Sequence, residues 1–305
     1  MALNIGIDTK LPRDIPGPNL PPFVPVWNGT AGNDAKNGTD ATERFNGLDG
    51  NDTVHAAGGA DTVDGGGGND MLWGDAGGDV LLGGAGYDTL DGGDGRDLMR
   101  GGADADLMLG GGDHDTLIGD AGDDRIYGED GDDFIDGGRG TRDRLYGEGG
   151  DDTIFAGDDP VADAGANSAQ DDRLYGGDGN DLMYGDVNTD RLWGGDGNDT
   201  LDGGGGNDAL FGEQGDDRLF GGAGNDGFYF DPGDGHDVVA DFTAGGTDDV
   251  LVFDAGFGFA DWNDVMALAD QVGPDCVFTF ADSGTLTLLG VAKAALTIDD
   301  FTIYT

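Results

Sequence analysis

An apolar residue recurs at every ninth position over most of the chain, and glycine, acidic and other polar residues fill the intervals. Residues 194–211 show the pattern most clearly, because GGDGNDTLD is followed directly by GGGGNDALF. The shared motif is Gly-Gly-x-Gly-x-Asp-x-apolar-x. About 21 clean or degenerate copies of it follow one another from residue 29 to residue 229. A strict short period predicts a repeat architecture in which each copy is one structural unit.

The motif also predicts the local structure of that unit. Six glycine-rich residues favour a turn, because glycine takes positive φ values without steric cost. The last three residues favour a short strand with the apolar side chain inside. Two copies then form one coil of 18 residues. Stacked coils give an all-β parallel solenoid that rises by about 4.8 Å per coil.

Composition adds a requirement for counter-charge. The 305 residues include 65 Gly and 63 Asp or Glu against 14 Lys or Arg, which gives a formal charge of −49. Nucleic acid and anionic membrane surfaces are poor partners for such a chain, because both require basic side chains. Cations are the expected partner. Cys276 is the single cysteine, so an internal disulfide and a CxxC metal site are excluded, and we expect Cys276 to be buried.

The acid at position six of each copy is the candidate metal ligand. Each turn offers one carboxylate and several carbonyl oxygens, and two stacked turns surround an ion with about six oxygens, which suits Ca²⁺ better than Mg²⁺. A site between one copy and the copy two places on allows at most about 19 ions, and without them we expect an unfolded or molten array. The predicted ligands are Asp52, Asp61, Asp70, Asp79, Asp88, Asp97, Asp106, Asp115, Asp124, Asp133, Asp143, Asp152, Asp172, Asp181, Asp190, Asp199, Asp208, Asp217, Asp226 and Asp237.

The chain divides into three parts. Residues 1–28 carry six of the nine prolines and predict an extended leader, of which Val24, Val26 and Trp27 are candidates to cover the first coil. Residues 29–240 are the repeat array, with an insertion near residues 156–170. Residues 241–305 form a C-terminal region with helical spacing over 261–272 and strand patterns over 276–280 and 285–289. The leader lacks the pattern of a cleavable signal peptide, and no stretch is apolar enough for a membrane span.

The copy GGAGYDTLD at residues 83–91 resembles the hemolysin-type, repeats-in-toxin (RTX) nonapeptide. This resemblance implies a right-handed parallel β-roll in which the position-six aspartates and turn carbonyls bind Ca²⁺. Glu43 and residues 28–46 depart from the motif, which places sites there in doubt. The segments PGDGHDVVADF and TLTLLGVAKAALTIDDFTIYT are similar to the C-terminal caps and secretion signals of the family. They imply export by the type I secretion machinery to an extracellular location.

Positions seven and nine of each strand are expected to point outward, and alternate copies share a face. One interpretation is a self-packing stripe in which arginines lie on the rings as cation–π pairs. The other is a docking face for the C-terminal segment, a polysaccharide, a cell-surface component or a neighbouring molecule. On one face these positions hold Arg125, Tyr127, Arg144, Tyr146, Arg173, Tyr175, Arg191 and Trp193, followed by Phe211 and Tyr229.

Three functional hypotheses follow. The first is a secreted, non-enzymatic calcium-binding protein that is structural or surface-associated. The second is the export module of an enzyme or toxin, which is disfavoured because the sequence contains neither HExxH nor G-x-S-x-G. The third is an accessory module for polysaccharide or ice, although the outward threonines are too irregular for ice. His55, His114 and His236 are interpreted as scattered surface residues.

Overall fold

The computed structural model describes residues 24–140, 142–157, 172–245, 249–281 and 284–304. Short strands dominate it, and one α-helix, α1 (Trp262–Ala267), lies near the C-terminal end. Single 3-10 turns cover Ala255–Phe257, Lys293–Ala295 and Ile298–Asp300. In chain order the strands are β1 (Val26–Asn28), β2 (Ala35–Thr39), β3 (Arg44–Asp49), β4 (Thr53–Ala57), β5 (Thr62–Gly67), β6 (Met71–Trp73), β7 (Val80–Ala85), β8 (Thr89–Asp94), β9 (Leu98–Ala103), β10 (Leu107–Gly112), β11 (Thr116–Ala121), β12 (Arg125–Asp130), β13 (Phe134–Asp136), β14 (Arg144–Gly149), β15 (Thr153–Phe155), β16 (Arg173–Asp178), β17 (Leu182–Tyr184), β18 (Arg191–Asp196), β19 (Thr200–Asp202), β20 (Gly205–Gly206), β21 (Ala209–Gln214), β22 (Arg218–Phe220), β23 (Ala223–Gly224), β24 (Gly227–Phe230), β25 (His236–Val239), β26 (Val250–Asp254), β27 (Ala269–Val272), β28 (Asp275–Thr279), β29 (Thr285–Leu288) and β30 (Phe301–Tyr304).

The repeat strands alternate between two long parallel sheets. The first sheet has the spatial order β1-β3-β5-β7-β9-β11-β13-β15-β17-β19-β22-β25-β29-β28-β27. The second has the order β2-β4-β6-β8-β10-β12-β14-β16-β18-β21-β24-β26-β30, and β20 pairs separately with β23. Each repeat strand is therefore bonded to the strand one full coil away. This is a parallel β-solenoid of about 11 turns, and the predicted all-β parallel roll is confirmed.

The register of the sheets follows the 18-residue coil. Val63 pairs with Leu81, and Leu81 pairs with Met99. Leu145 pairs with Leu174 across a separation of 29 residues, so the strands on either side of the predicted insertion stay in phase. Residues 158–170 of that insertion lie outside the described residues. The additional residues between these strands therefore do not shift the inward-facing residues, as a period-two strand requires.

The interior of the roll is filled by the apolar residue at position eight of each copy. Burying one such side chain contributes about 1.5–3 kcal/mol, so the core grows by a fixed increment with each copy. These side chains are at most 1% exposed: Phe45, Val54, Val63, Leu72, Leu81, Leu90, Met99, Met108, Leu117, Ile126, Ile135, Leu145, Ile154, Leu174, Met183, Leu192, Leu201, Leu210, Leu219, Phe228, Val239 and Leu251.

The turns need left-handed backbone at positions two and four. In one clean copy Gly66 has φ 99° and Gly68 has φ 124°. Glycine takes these values freely. Some copies place another residue there, such as Glu148 with φ 73°, and these positions carry strain that the stacked neighbours hold in place.

The C-terminal region continues both sheets. Strands β26 and β30 extend the second sheet in parallel, whereas β27, β28 and β29 end the first sheet with antiparallel pairs. Phe253 lies at the centre of an aromatic cluster, with ring centroids at 5.7 Å from Phe230 and Phe257 and at 6.0 Å from Phe280. The end of the roll is therefore closed by aromatic packing, and this part of the chain is joined to the array by backbone hydrogen bonds.

Helical spacing predicted a helix over residues 261–272, but α1 ends at Ala267 and Ala269–Val272 form β27. The reason is non-local, since β27 pairs with β28. The predicted strands at 276–280 and 285–289 correspond to β28 and β29, and residues 282–283 between them lie outside the described residues.

The roll begins earlier than the sequence boundary at residue 29. β1 (Val26–Asn28) pairs with β3, and the Trp27 ring lies 6.5 Å from that of Phe45. Trp27 therefore covers the first coil, while Val26 is 57% exposed. Residues 1–23 of the predicted leader lie outside the described residues.

Candidate metal centres in the turns

The predicted ligand aspartates form a ladder along each edge of the roll, where the turns enter the strands. The N–H of Asp70 donates to Oδ1 of Asp88 at 2.7 Å, and the N–H of Asp88 donates to Oδ1 of Asp106 at 2.8 Å. All twenty predicted ligands are at most 4% exposed. One oxygen of each carboxylate thus receives a backbone N–H from the preceding coil, at the point where the side chain is removed from water.

The other carboxylate oxygen, Oδ2, is buried without a hydrogen-bond partner in most copies. Buried polar atoms of this kind are rare in native proteins and require a physical explanation. Among the described residues they belong to Asp52, Asp61, Asp70, Asp79, Asp88, Asp97, Asp106, Asp115, Asp124, Asp133, Asp143, Asp152, Asp181, Asp199, Asp208, Asp217 and Asp226.

At each of these sites except Asp61, which has Ala56 at position one, a glycine at position one lets the backbone lie close against Oδ2. A Cβ added to Gly83 would lie 2.5 Å from Oδ2 of Asp88 and 2.5 Å from the carbonyl oxygen of Gly101. The same arrangement recurs at Gly92, with Oδ2 of Asp97 and the carbonyl oxygen of Gly110 each at 2.5 Å. At these two sites the unpartnered oxygen lies near a carbonyl oxygen of the following coil, and a side chain at position one would clash with both oxygens.

Burial raises the pKa of these carboxyls. The pKa of Asp106 rises to about 8 because burial disfavours the charged form, and Asp124 and Asp88 add to the shift. The pKa of Asp172 rises to about 9 through burial and the nearby charges of Asp143 and Asp190. At neutral pH these carboxyls must therefore either be protonated or have their negative charge compensated by cations between the coils.

Three predicted ligands and the first two copies differ from this scheme. Asp172, Asp190 and Asp237 are buried but are not among the residues with an unpartnered Oδ2. In the first copy the N–H of Thr30 donates to Oδ2 of Asp34 at 2.6 Å. In the second the N–H of Thr39 donates to Oε2 of Glu43 at 2.6 Å. The hydroxyl of the same threonine also donates to each of these oxygens, at 2.9 Å and 3.1 Å, so both lone-pair sites of the oxygen are used inside the turn.

The turns therefore offer oxygen donors of two kinds, carboxylate and carbonyl. Hard divalent cations prefer such donors, and Ca²⁺ accepts six to eight of them in flexible geometry. The unpartnered Oδ2 atoms and the carbonyl oxygens that lie near them fit an ion of this class.

A family model described as RTX calcium-binding nonapeptide repeat (4 copies) matches residues 37–72, 73–108, 109–142, 141–159, 168–192, 193–228 and 202–239. These segments contain all twenty predicted ligand aspartates and cover more than half of the chain. The chain belongs to the RTX calcium-binding nonapeptide-repeat family. RTX repeats bind Ca²⁺, and the aspartate ladder fits calcium-binding turns.

No curated protein sequence matches this RTX chain. Among solved structures, the chain is similar to the crystal structure of the extracellular lipase LipA from Serratia marcescens, with 21% sequence identity and a TM-score of 0.35. The match covers 70% of this chain and 41% of the lipase chain. The RTX chain thus matches less than half the length of that lipase.

The second sheet of the RTX roll carries the predicted ring ladder on its outer face. Neighbouring rings stack with interplanar angles of 4–19° and centroid distances of 4.2–5.2 Å. Because the rings face one another along the roll, their faces are covered inside the column and their edges point away from it. The column consists of Tyr127, Tyr146, Tyr175, Trp193, Phe211 and Tyr229.

An arginine column runs beside the rings. Register pairs join Arg125 to Arg144, Arg144 to Arg173 and Arg173 to Arg191. The expected cation–π pairs are not seen here: among the described residues the cation–π contact is Arg218 over Phe220 at 4.8 Å, on the other sheet. The physical reason is that stacking already covers the faces of the rings.

A second ladder of hydrogen bonds, which was not predicted from the repeat pattern, connects side chains at position five. Oδ1 of Asn180 accepts the N–H of Asn198 at 2.9 Å, and Oδ1 of Asn198 accepts the N–H of Asp216 at 2.8 Å. His114 and His236, which were interpreted as scattered surface residues, lie at the two ends of this ladder. Nδ1 of His114 accepts the N–H of Asp132, and the N–H of His236 donates to Oδ1 of Asp216. The signal was present in the frequent Asn-Asp pairs of the repeat, because an acceptor side chain before the ligand aspartate can bond the next coil.

The remaining expectations concern single features. Cys276 is buried, as expected. His55 stacks on Trp73 at 4.2 Å, which the sequence analysis did not anticipate. Within the described ranges, α-helical segments are too short or too polar to cross a bilayer.

Proposed function

We propose that this protein is a non-enzymatic rod that is exported, folds on Ca²⁺ outside the cell and acts there as a structural or surface-associated component. The observation that carries the proposal is the series of buried Oδ2 atoms without partners, most of them near a turn carbonyl oxygen. The residues that would hold calcium are the twenty position-six aspartates, together with those carbonyl oxygens.

Electrostatics supports the coupling of calcium to folding. Successive aspartates on one edge lie close enough for the N–H of one to bond the carboxylate of the next, at 2.7 Å between Asp70 and Asp88. Stacking that many buried like charges is unfavourable unless cations lie between them. An ion that binds the folded array and not the unfolded chain adds its binding free energy to stability.

An extracellular location agrees with this coupling. Calcium is scarce in cytosol and abundant outside, where sites of about 10⁻⁴–10⁻³ M affinity are sufficient. A chain that stays unfolded until it meets external calcium suits passage through the type I secretion machinery, which the resemblance of the C-terminal segments implies.

The test is a calcium titration of the full chain, starting in chelator, followed by circular dichroism and isothermal calorimetry. We expect β structure to appear with calcium, several ions to bind per chain, and Mg²⁺ to be ineffective at the same concentration. A chain that already shows the full β signal in chelator would overturn the proposal.

A second candidate function is the binding of an acidic polysaccharide along the arginine column. Arg125, Arg144 and Arg173 are stacked on neighbouring coils, and none forms an ion pair with a described carboxylate. Like charges about 4.8 Å apart repel one another, and a linear polyanion would compensate them. Since ring faces are covered, contact would run through guanidinium groups and ring edges.

This candidate is tested with a soluble uronic acid polymer as the probe. Arg144→Gln combined with Arg173→Gln should lower its affinity at least about tenfold at low salt. Arg218→Gln, on the opposite sheet, is the matched control and should bind as the wild type does. Equal binding by all three proteins excludes the column as the site.

A further inference from the structure

One turn of the array departs from the glycine pattern in a way that adds a carboxylate. Residues 185–190 read GDVNTD, so Asp186 stands at position two and Asn188 at position four. Neither residue takes the positive φ found at these positions in the next coil, where Gly204 has φ 89° and Gly206 has φ 140°. The turn is therefore built differently from its neighbours.

Three carboxylates converge at this turn. Oxygen atoms of Asp172, Asp186 and Asp190 lie within 4.8 Å of one another. Among the described residues, this is the one group of three acidic, histidine or cysteine side chains with ligand atoms that close together. Asp172 is 3% exposed and Asp190 is fully buried. The two come from successive coils, since the N–H of Asp172 donates to Oδ1 of Asp190 at 3.2 Å.

Asn188 supplies an observation that is independent of the acids. It is 6% exposed, and its Oδ1 atom is buried without a hydrogen-bond partner. Its Nδ2 atom donates to Oδ2 of Asp186 at 3.1 Å, which places the amide group against the cluster. A buried amide oxygen without a donor is costly, and a cation beside the three carboxylates would satisfy it.

We propose that Asp172, Asp186, Asp190 and Asn188 form a calcium site that is tighter than the other turns of the array. It rests on the proposed calcium binding by the position-six aspartates, and it adds Asp186 and Asn188 to the ligands. Affinity for Ca²⁺ rises with the number of charged ligands and the rigidity of the site. This site has three carboxylates and an amide oxygen where a clean copy offers position-six carboxylates and turn carbonyls.

Two of the hydrogen bonds at this turn are compatible with an ion. The N–H of Asp186 donates to Oδ2 of Asp190 at 2.9 Å, and the N–H of Asn188 donates to Oδ1 of Asp186 at 2.6 Å. Each carboxylate oxygen has two lone-pair sites, so one accepted N–H does not exclude a cation. The alternative is that Asp186 only shapes the turn, and this alternative requires its hydrogen bonds but not its charge.

The experiment measures calcium release from the loaded, full-length chain by stopped flow with a fluorescent chelator, and calcium affinity by equilibrium titration. We expect the wild type to show a slow phase of about one ion per chain. Asp186→Asn keeps an acceptor but removes the charge, and Asp186→Gly restores the consensus. Both should abolish the slow phase and weaken the tightest site about tenfold.

Glu148→Gly is the matched control, because it removes one charge from position two of another copy, and it should keep the slow phase. A slow phase retained in both Asp186 variants would overturn the inference, as would release in a single phase from the wild type. Failure of Asp186→Asn to fold at saturating calcium would also overturn it, since Asp186 would then be needed for the turn. A wild type that binds no calcium would instead overturn the proposed function.

Discussion

A hydrogen bond joins Asp70 to Asp88 in the next coil and uses only one of the two carboxylate oxygens of Asp88. The N–H of Asp70 donates to Oδ1 of Asp88 at 2.7 Å, whereas Oδ2 of Asp88 is buried without a partner. The hydrogen bond fixes the position of the side chain, and the second oxygen is the one that we propose binds an ion. The backbone hydrogen bond and the proposed ion contact thus fall on different atoms of one residue, and mutation can separate them.

Asp88→Asn is expected to remove calcium binding at its coil while keeping the backbone contact. The amide oxygen can still accept the N–H of Asp70, but it lacks the charge that holds a divalent ion. We expect calorimetry to show fewer calcium ions per chain and the calcium-loaded protein to melt at lower temperature.

Asp34→Asn is the control for that substitution. Oδ2 of Asp34 already accepts both the N–H and the hydroxyl of Thr30 inside its own turn, at 2.6 Å and 2.9 Å, so both of its lone-pair sites are used and the number of bound ions should not change. An equal loss in both variants would show that binding follows net charge and not the geometry of the turns.

Gly83→Ala is expected to close one ion space sterically. The new Cβ would lie 2.5 Å from Oδ2 of Asp88 and 2.5 Å from the carbonyl oxygen of Gly101, which is closer than van der Waals contact. Overpacking of this kind costs about 1–3 kcal/mol, and the same coil should lose calcium. Gly112→Ala is the matched control, because its Cβ would meet nothing within 4 Å. Equal unfolding midpoints for the two variants would contradict the role assigned to position one.

Stability of the calcium-free chain should fall as pH rises. Burial raises the pKa of Asp208 to about 9 and that of Asp152 to about 8 in the folded state. An acid whose pKa is raised by folding binds more protons folded than unfolded. Its contribution is therefore fully present below the unfolded pKa of about 3.9 and is lost as pH rises through the folded value.

Two measurements check this pH dependence. In chelator, the β signal by circular dichroism should be larger at pH 5 than at pH 8. At pH 7 calcium binding should release protons, because ions replace protons on the buried carboxyls, and calorimetry in buffers of different ionisation enthalpy reports that release. A chelated chain more structured at pH 8 would contradict the sign of the effect.

Much of the fold follows from the sequence because one rule repeats. Leu201 and Leu210 are nine residues apart in the sequence, and both are fully buried. The glycines and aspartates between them specify the turn, as the same residues do in the other copies. Position-six aspartates could be predicted as ligands for the same reason. Each copy independently carries the same pattern of glycine, aspartate and apolar residue, so the period can be recognised from the sequence alone.

The parts that could not be predicted depend on contacts between distant residues. The asymmetry of most of these carboxylates requires the register of two coils, as in the bond from Asp70 to Asp88. The helix over residues 261–272 is cut short by pairing of β27 with β28. Asp186 and Asn188 interrupt the motif, and a single sequence cannot distinguish a degenerate copy from a copy with added ligands.

The last prediction concerns the ring column. Tyr175 stacks on Tyr146 at 4.8 Å and on Trp193 at 4.5 Å, so Tyr175→Ser breaks two ring contacts. At about 0.5–1.5 kcal/mol for each aromatic pair, we expect the calcium-loaded roll to lose about 1–3 kcal/mol of unfolding free energy. Tyr87→Ser is the control, because Tyr87 is 61% exposed and stacks on none of the described rings.

Denaturant unfolding at saturating calcium gives the stability of each variant, and a titration with the uronic acid polymer gives its affinity. Loss of stability with unchanged polymer binding assigns the rings to stiffening the rod and leaves the arginines as the binding groups. Unchanged stability in Tyr175→Ser would contradict the self-packing role. In that case the stacked geometry would have to be maintained by the strand register alone, since β14, β16 and β18 place positions 146, 175 and 193 side by side.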